Sequence, residues 1–205
     1  VAENINTLAK FLGTRDIDAL NQGELFNRYG IHQVDVMVLF GGSILEGGDV
    51  LASGIKNFVA KKYIIVGGAG HTTDTLRQVV HLEYPDIEAT DLSEAEIFQK
   101  YIKHVYGCKA DYLETKSTNC GNNITYLLDL LKENNISFNS IILSQDASMQ
   151  RPMAAGLKKY VKEDVTIINY ATYCAKVLNQ NDELVYEENI HGMWTINRYV
   201  NLLMG

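Results

Sequence analysis

Short apolar runs alternate with segments of helical periodicity along most of this chain. The runs that are typical of buried strands cover residues 34–40, 63–66, 110–113, 140–144 and 165–169. Between them, apolar residues recur every three to four positions, which is the spacing of a helix. Since strands that alternate with helices pair in parallel through right-handed crossovers, we predict a Rossmann-like, mostly parallel α/β sheet that is doubly wound, with helices on both faces.

Helix-ending residues divide the helical segments. Ser93 and Glu96 have the spacing of a capping box, which opens a helix. The predicted helices run up to Gly13, over 16–29 in a looser form, over 49–61, from about 74 to before Pro85, from Ser93 to Gly107, onward from Gly121, over 149–161 and over 191–203. We predict one α/β domain over 1–205, with an N-terminal helical segment (1–30), a sheet core (34–170) and a C-terminal segment (185–205) that ends in a closing helix.

The charge balance narrows the range of partners. The chain has 25 acidic and 18 basic side chains, for a net charge of −7. Nucleic acids and anionic membranes are bound by basic surfaces, so we expect neither as a partner. A small-molecule ligand is the expected partner, and a few backbone amides with one arginine suffice to hold an anionic one.

The cysteines indicate a reducing compartment. Cys108, Cys120 and Cys174 are scattered, without CxxC spacing or nearby histidine pairs. This pattern predicts free thiols and no metal site, and we expect a cytoplasmic protein. No apolar run approaches the roughly 20 residues that span a bilayer, and no signal-peptide pattern opens the sequence.

Small residues follow two predicted strands, where ligands of parallel sheets bind. Glycines in such turns let backbone amides approach a ligand, although a tight turn alone would also explain them. The spacing is not GxGxxG, because Thr73 stands at the last position, so the usual dinucleotide fingerprint is missing. The candidate ligand-binding residues at these two turns are Gly41, Gly42, Ser43, Gly67, Gly68, Gly70 and His71.

Glu94 is a candidate for chemistry at the start of a helix. It shares the inward stripe of Ile97, Phe98 and Tyr101, whereas Glu96 suits the capping box. A carboxylate at the end of a buried stripe needs a partner or a function.

Polar residues also crowd the start of the next helix, in the stretch 117–123. Helix capping explains one or two of them, and the others are candidates to bind a carboxylate, ribose or phosphate. The candidates in this stretch are Ser117, Thr118, Asn119 and Asn123. Cys120 lies among them, but packing as a small apolar group is the simpler interpretation.

The predicted strand 140–144 is followed by Gln145 and Asp146, which are further ligand-binding candidates. Ser148 has the position of a helix cap. Arg151 lies one turn into the helix, where its forked cation would clamp an anionic ligand unless it is an ordinary surface residue. Trp194 is expected to pack on the core.

Four stretches of the chain resemble a known family. They are Gly-Gly-Ala-Gly-His-Thr-Thr at 67–73, Ser-Thr-Asn-Cys-Gly-Asn-Asn at 117–123, Gln-Asp-Ala-Ser-Met-Gln-Arg at 145–151 and Gly-Met-Trp-Thr-Ile-Asn-Arg-Tyr at 192–199. Together they resemble the bacterial YdcF-like proteins, a family of unknown function to which SanA and ElyC also belong. The resemblance covers nearly the whole chain in the same order, and its Ser-Thr-Asn-Cys-Gly string is the most specific part.

The resemblance implies a pocket at the strand ends that binds S-adenosyl-methionine. The family's glycine loops match those named above, its Glu-Ala helix start matches Glu94 and Ala95, and its later Glu, Asn and Arg match Glu114, Asn123 and Arg151. Glu94, Glu114 and Arg151 are the implied catalytic residues. The chain departs from the wider family at Ser148, where a His is usual, and has no Arg soon after the first strand. We also expect no membrane anchor of the kind that the envelope-associated relatives carry.

Two functions follow as hypotheses. The first is an enzyme or binding protein for a nucleoside-type ligand such as S-adenosyl-methionine, although the usual methyltransferase glycine motif is missing. The alternative is a phosphoester hydrolase or transferase that acts on an envelope or sugar-phosphate metabolite, for which Arg151 and the anion-ready loops would be responsible.

Overall fold

The computed structural model describes residues 1–204, with a five-stranded parallel sheet at its centre. The strands are β1 (Val34–Phe40), β2 (Ala60–Val66), β3 (Tyr112–Glu114), β4 (Ser140–Ser144) and β5 (Thr166–Asn169). Their order across the sheet is β3-β2-β1-β4-β5. Every neighbouring pair is parallel, and Val36 of β1 aligns with Lys62 of β2 and with Ile141 of β4.

Helices cover both faces of this sheet. They are α1 (Ala2–Leu12), α2 (Gln22–Tyr29), α3 (Glu46–Lys56), α4 (Thr73–Glu83), α5 (Glu94–Tyr106), α6 (Cys120–Glu133), α7 (Gln150–Lys158) and α8 (Ile196–Met204). Successive side chains of a strand point to opposite faces. Met37 and Leu39 of β1 therefore pack with α3 and α5, whereas Val38 and Phe40 pack with α6 and α7. The predicted doubly wound α/β fold is confirmed.

The helix predicted over 16–29 forms only in its second half, as α2. Asn21 marks its start, because the Asn21 side chain caps the helix by accepting the amide of Glu24 at 2.8 Å. The residues before it run along the outer edge of β5, where Arg15 forms an isolated antiparallel bridge with Tyr170. Part of that sheet edge is thus covered by the chain itself.

The helix predicted over 49–61 begins earlier, at Glu46, and gives way to β2 at Ala60. Gly47 and Gly48 weaken the sequence signal for its first turn, because glycine has a low helix propensity. Gly48 is needed there because a Cβ atom would lie 2.6 Å from the ring of Tyr101 on α5. The start of α3 thus depends on its close packing against α5. The local sequence pattern does not show this contact.

The C-terminal part contains a hairpin in a region where no element is predicted. Its strands are β6 (Val177–Gln180) and β7 (Glu183–Tyr186). Asn181 and Asp182 join them with positive φ angles of 52° and 64°, as two-residue hairpin turns require. The hairpin packs with α1 and α8 in a third apolar cluster.

His191 anchors the segment between this hairpin and α8. Its Nδ1 lies 2.8 Å from a carboxylate oxygen of Asp49, and its Nε2 lies 2.8 Å from one of Glu83. The amide of Glu46 donates to its carbonyl oxygen at 3.2 Å. The helix predicted from 191 consequently begins only at Ile196. Burial lowers the pKa of His191, but the hydrogen bonds to Asp49 and Glu83 outweigh burial and raise that pKa above its ordinary value.

We expect His191→Gln to flatten the pH dependence of stability. A histidine whose pKa is raised by folding contributes fully below its unfolded pKa, and the contribution disappears as pH rises through the folded value. Urea unfolding at pH 6 should therefore show the variant destabilised by about 1–2 kcal/mol, with a smaller loss above pH 8. His81→Gln, at an exposed histidine of α4, is the control. An equal loss at both pH values would contradict the proposed ion pairs.

Candidate functional site

A cavity of about 240 Å³ lies at the carboxyl edge of the sheet. In the sheet, β2 lies on one side of β1 and β4 lies on the other, so the direction of winding reverses at β1. A crevice opens beyond the carboxyl end of β1 at this point. The loops after β1, β2, β3 and β4, including the residues directly before α4 and α7, meet there with the first residues of α5 and α6. The lining residues are Gly41, Gly42, Gly68, Gly70, His71, Thr72, Glu94, Ser117, Thr118, Asn119, Cys120, Asn123, Gln145, Asp146, Ser148, Met149, Trp194 and Leu202.

Most of the candidate residues from the sequence line this one cavity, although they come from five separate stretches of the chain. Four of them do not line it: Ser43, Gly67, Glu114 and Arg151. The first three lie directly behind the lining residues and support them, whereas Arg151 lies elsewhere.

Glu114 shapes a loop and does not face the cavity. Its carboxylate is buried and accepts the backbone amides of Lys116 at 2.6 Å and of Ser117 at 3.1 Å. The carbonyl of Glu114 accepts the amide of Gly67 at 2.9 Å. These bonds join the end of β3 to the turn after β2, so Glu114 positions Ser117 beside the cavity.

Ser43 is likewise a support, for an aromatic wall. It is fully buried, and its hydroxyl accepts the indole N–H of Trp194 at 2.8 Å. Trp194 is buried, as expected, but it also lines the cavity together with Leu202 of α8. The contribution of Leu202 had no signal in the sequence, because Leu202 is one apolar residue among many on an amphipathic helix.

Arg151 does not form the anion clamp expected of it. Its guanidinium lies over the ring of Phe11, 4.2 Å from the ring centroid, and its Nε donates to the carbonyl of Phe11 at 2.5 Å. Position two of α7 directs the side chain towards α1 and away from the strand ends. Ser148 also differs from expectation, because Met149 precedes α7 as its cap residue and the nearly buried Ser148 lines the cavity.

The glycines after β1 make room for two carboxylates. A Cβ atom on Gly41 would lie 2.5 Å from an oxygen of Glu94, and one on Gly42 would lie 2.6 Å from an oxygen of Asp146. Neither glycine has a positive φ angle, so the requirement is for space and not for backbone conformation. The turn after β1 thus presses its backbone against both acidic side chains.

Glu94 is buried and has hydrogen-bond donors on one side only. Its Oε1 accepts the hydroxyls of Thr72 at 3.1 Å and Thr73 at 2.9 Å. Burial raises the pKa of Glu94, and the two threonines and the charge of Arg77 offset part of that rise. The threonines end the Gly-rich stretch 67–73 at the start of α4, and this position at a helix start is the sequence signal that marks them.

Asp146 is the more perturbed of the two acids. No residue within 1–204 donates a hydrogen bond to its carboxylate, and its side chain is nearly inaccessible to solvent. Burial and, secondarily, the charge of Glu94 raise the pKa of Asp146 to about 7. A carboxyl group that titrates near neutral pH in a cleft is typical of functional sites.

The polar start of α6 divides into capping and cavity-facing residues. Asn119 caps the helix by accepting the amide of Asn122 at 3.0 Å, and the Asn122 side chain accepts from Asn119 and Thr118. Asn123 lines the cavity. Cys120 is exposed and lines the cavity, so its side chain does not pack as the small apolar group that the sequence favoured. Its partly desolvated surroundings raise the pKa of the thiol, which argues against a nucleophile.

The electrostatic character of the cavity is acidic. Neither lysine nor arginine occurs among the lining residues, and His71 is their one basic side chain. Arg77, which acts on Glu94 from outside, is paired with Asp74 at 2.8 Å. Partial positive charge comes from the N-termini of the helices that begin at the cavity. The arrangement suits a ligand that brings positive charge or hydrogen-bond donors.

No model of a known protein family matches this chain. Within residues 1–204, no helix has the length and apolarity needed to cross a membrane, and no three His, Cys, Asp or Glu side chains are grouped to hold a metal ion. The resemblance to YdcF-like proteins therefore stays a prediction from the sequence.

We expect Gly68→Ala to destabilise the protein and Gly70→Ala to be tolerated. A Cβ on Gly68 would collide with the carbonyl oxygen of Ser117 and lie 2.9 Å from the backbone of Lys116, whereas one on Gly70 would meet its nearest neighbour at 3.8 Å. Urea unfolding should show a loss of about 2–3 kcal/mol for the first variant and under about 0.5 kcal/mol for the second. Equal effects would show that backbone contact at Gly68 is not limiting.

We expect Asp146→Asn to stabilise the protein at alkaline pH. The folded pKa of about 7 exceeds the unfolded value of 3.8, so the folded state binds more protons between these values. Stability therefore falls as pH rises through this window, and the full cost of the buried charge applies above pH 7. The variant should gain about 2 kcal/mol or more at pH 8 and little at pH 4, in thermal or urea unfolding. The control is Asp164→Asn, at an exposed aspartate. A gain in stability of Asp146→Asn that does not depend on pH would contradict the raised pKa of Asp146.

Proposed function

We propose that this chain binds a small, positively charged ligand of nucleoside type in the cavity, and that S-adenosyl-methionine is the first ligand to test. The observation behind the proposal is that two buried carboxylates, Glu94 and Asp146, face one cavity that no lysine or arginine lines. Their mutual repulsion and desolvation are relieved when a cation enters. A sulfonium and an ammonium group, both present in S-adenosyl-methionine, supply such charge.

The remaining lining residues suit the other parts of this ligand. Trp194, Met149 and Leu202 offer an apolar wall for a base. The start of α6 offers backbone amide donors to a carboxylate group. The cavity volume of about 240 Å³ is below the roughly 300–1,000 Å³ of sites that enclose a drug-sized ligand, so part of the ligand would extend past the exposed His71.

The phosphoester alternative has less support. It depended on Arg151 as the cation of the site, and Arg151 packs on Phe11 away from the cavity. Two buried acids repel a phosphate dianion, which the helix N-termini offset only in part. Glu94 and Asp146 are therefore the residues to test first, in place of the Glu94, Glu114 and Arg151 set that the resemblance implies.

Binding can be measured by calorimetry and by the emission of Trp194, which is the single tryptophan of the chain. We expect S-adenosyl-methionine to bind more tightly than its demethylated product, because the product lacks the sulfonium charge. Glu94→Gln and Asp146→Asn should each weaken binding roughly tenfold or more, since each removes a charged partner from a buried site. Glu96→Gln, two residues away in the capping box of the same helix, should leave the affinity unchanged.

The affinity of the wild-type protein should also rise as pH increases from 6 to 8. Asp146, whose pKa is about 7, gains its negative charge over this range, and a cation binds the charged form. Asp146→Asn should flatten this dependence. If folded protein gives no heat and no change in Trp194 emission with either ligand, the proposed function is wrong.

A further inference from the structure

Residues 190–194, which we call the C-terminal strap, lie along the loop between β1 and α3. The amide of Glu46 donates to the carbonyl of His191 at 3.2 Å, and the amide of His191 donates to the carboxylate of Glu46 at 3.3 Å. Farther along the strap, Trp194 donates its indole N–H to the hydroxyl of Ser43 at 2.8 Å. The strap therefore joins the cavity wall at Trp194 to the loop that follows β1.

Gly192 keeps the strap close to this loop. Its φ angle is +73°, in the left-handed region that favours glycine. A Cβ atom on Gly192 would also lie 3.0 Å from the backbone nitrogen of Leu45. Because Gly192 is held in this conformation, the position of Trp194 depends on how firmly the neighbouring His191 is held.

Both ring nitrogens of His191 face carboxylates. Nδ1 lies 2.8 Å from Asp49, and Nε2 lies 2.8 Å from Glu83. A neutral imidazole has one N–H and one lone pair, so only the protonated ring donates to both acids. The side chain of Glu83 is 42% exposed and that of Asp49 only 19%, so Glu83 is the partner that water replaces when the ring loses a proton.

The titratable groups that face His191 come from α3, α4 with the residue after it, and α5. They are Glu46, Asp49, Glu83, Tyr84 and Tyr101. Tyr101 donates its hydroxyl to the second oxygen of Asp49, so this phenol is already engaged. Burial lowers the pKa of His191, but the bonds to Asp49 and Glu83 raise it by more. All five neighbours are carboxyl or phenol groups, and the carboxylates favour the protonated ring.

We propose that His191 is a positioning residue of the cavity, whose protonated ring holds the strap, and with it Trp194, in the cavity wall. Loss of the proton breaks the link to Glu83, so the strap opens more often at alkaline pH. The contacts to α3 and Ser43 persist and keep the open form a minor species, so the affinity for a ligand still follows Asp146. For its effect on ligands, this inference rests on the proposed function: a ligand that packs on Trp194 leaves faster when the strap opens more often.

Hydrogen exchange of the Trp194 indole N–H, followed by NMR in the free protein, measures how often the strap opens. Trp194 is the single tryptophan of the chain, so its indole signal is unambiguous. After correction for the intrinsic exchange rate, we expect the protection of the wild type to fall roughly tenfold between pH 6 and pH 9, as a charge-assisted hydrogen bond is lost. His191→Gln should show the lower protection already at pH 6 and no such fall, because its amide does not titrate.

A second variant isolates the contact that needs the protonated ring. Glu83→Gln changes an exposed residue at the end of α4, and the indole protection of this variant should vary less with pH than that of the wild type. His81→Gln, at an exposed histidine of the same helix, is the matched control and should behave as the wild type does. Backbone amides of β1 in the same samples report global unfolding, and their protection should exceed that of the indole.

The exchange data test the strap without any ligand. The role of His191 is overturned if the pH profile of the indole is the same in His191→Gln as in the wild type, or if the indole is protected as strongly as the β1 amides at every pH. A protein that shows the expected profile but does not bind S-adenosyl-methionine supports the strap and contradicts only the proposed function.

If S-adenosyl-methionine binds, stopped-flow measurement of Trp194 emission gives its dissociation rate. At pH 6, His191→Gln should release the ligand roughly tenfold faster than the wild type, with little change in affinity, because entry and release are accelerated alike. An unchanged dissociation rate would overturn the effect of the strap on the ligand.

Discussion

The burial of two carboxylates at one edge of a parallel sheet is the constraint on which this site depends. Glu94 and Asp146 lie close enough that the charge of one raises the pKa of the other, and neither has a cation within the cavity. Water would solvate them better than the protein does. Glycines 41 and 42 bring the backbone against both acids, and helix N-termini supply partial charge, so the fold tolerates an arrangement that does not favour its own stability.

A site of this kind trades stability for recognition. The pKa of about 7 for Asp146 means that the fold disfavours its negative charge near neutral pH, where a cationic ligand would need that charge. Ser144, directly before Gln145, and Thr172, whose amide donates to the carbonyl of Gln145 at 3.0 Å, also have buried hydroxyls without a partner among the described residues. The clusters on the two faces of the sheet consist of apolar side chains. A buried carboxyl group with a pKa of about 7 at the carboxyl edge of the sheet is therefore a departure from ordinary packing, as expected of functional sites.

The sequence predicted the features that depend on local rules, and it did not predict contacts between segments that are distant in the chain. The apolar runs predicted every strand of the sheet, and the Ser93–Glu96 box predicted the start of α5. The parallel topology then brought the strand-end residues to one cavity. The direction of Arg151, the start of α3 at Glu46 and the contribution of Trp194 depend on packing between elements far apart in the chain. Periodicity contains no information about such contacts.

The cavity wall is discontinuous in sequence, with contributions from the loops after four strands, from the starts of α5 and α6 and from the C-terminal segment. A molecule bound in the cavity would contact several of these segments and hold them together. Its free energy of binding would then be distributed over the whole sheet, and backbone amides in elements remote from the ligand would exchange their hydrogens with solvent more slowly. Ligand binding would therefore make the domain more rigid, including residues that do not contact the ligand.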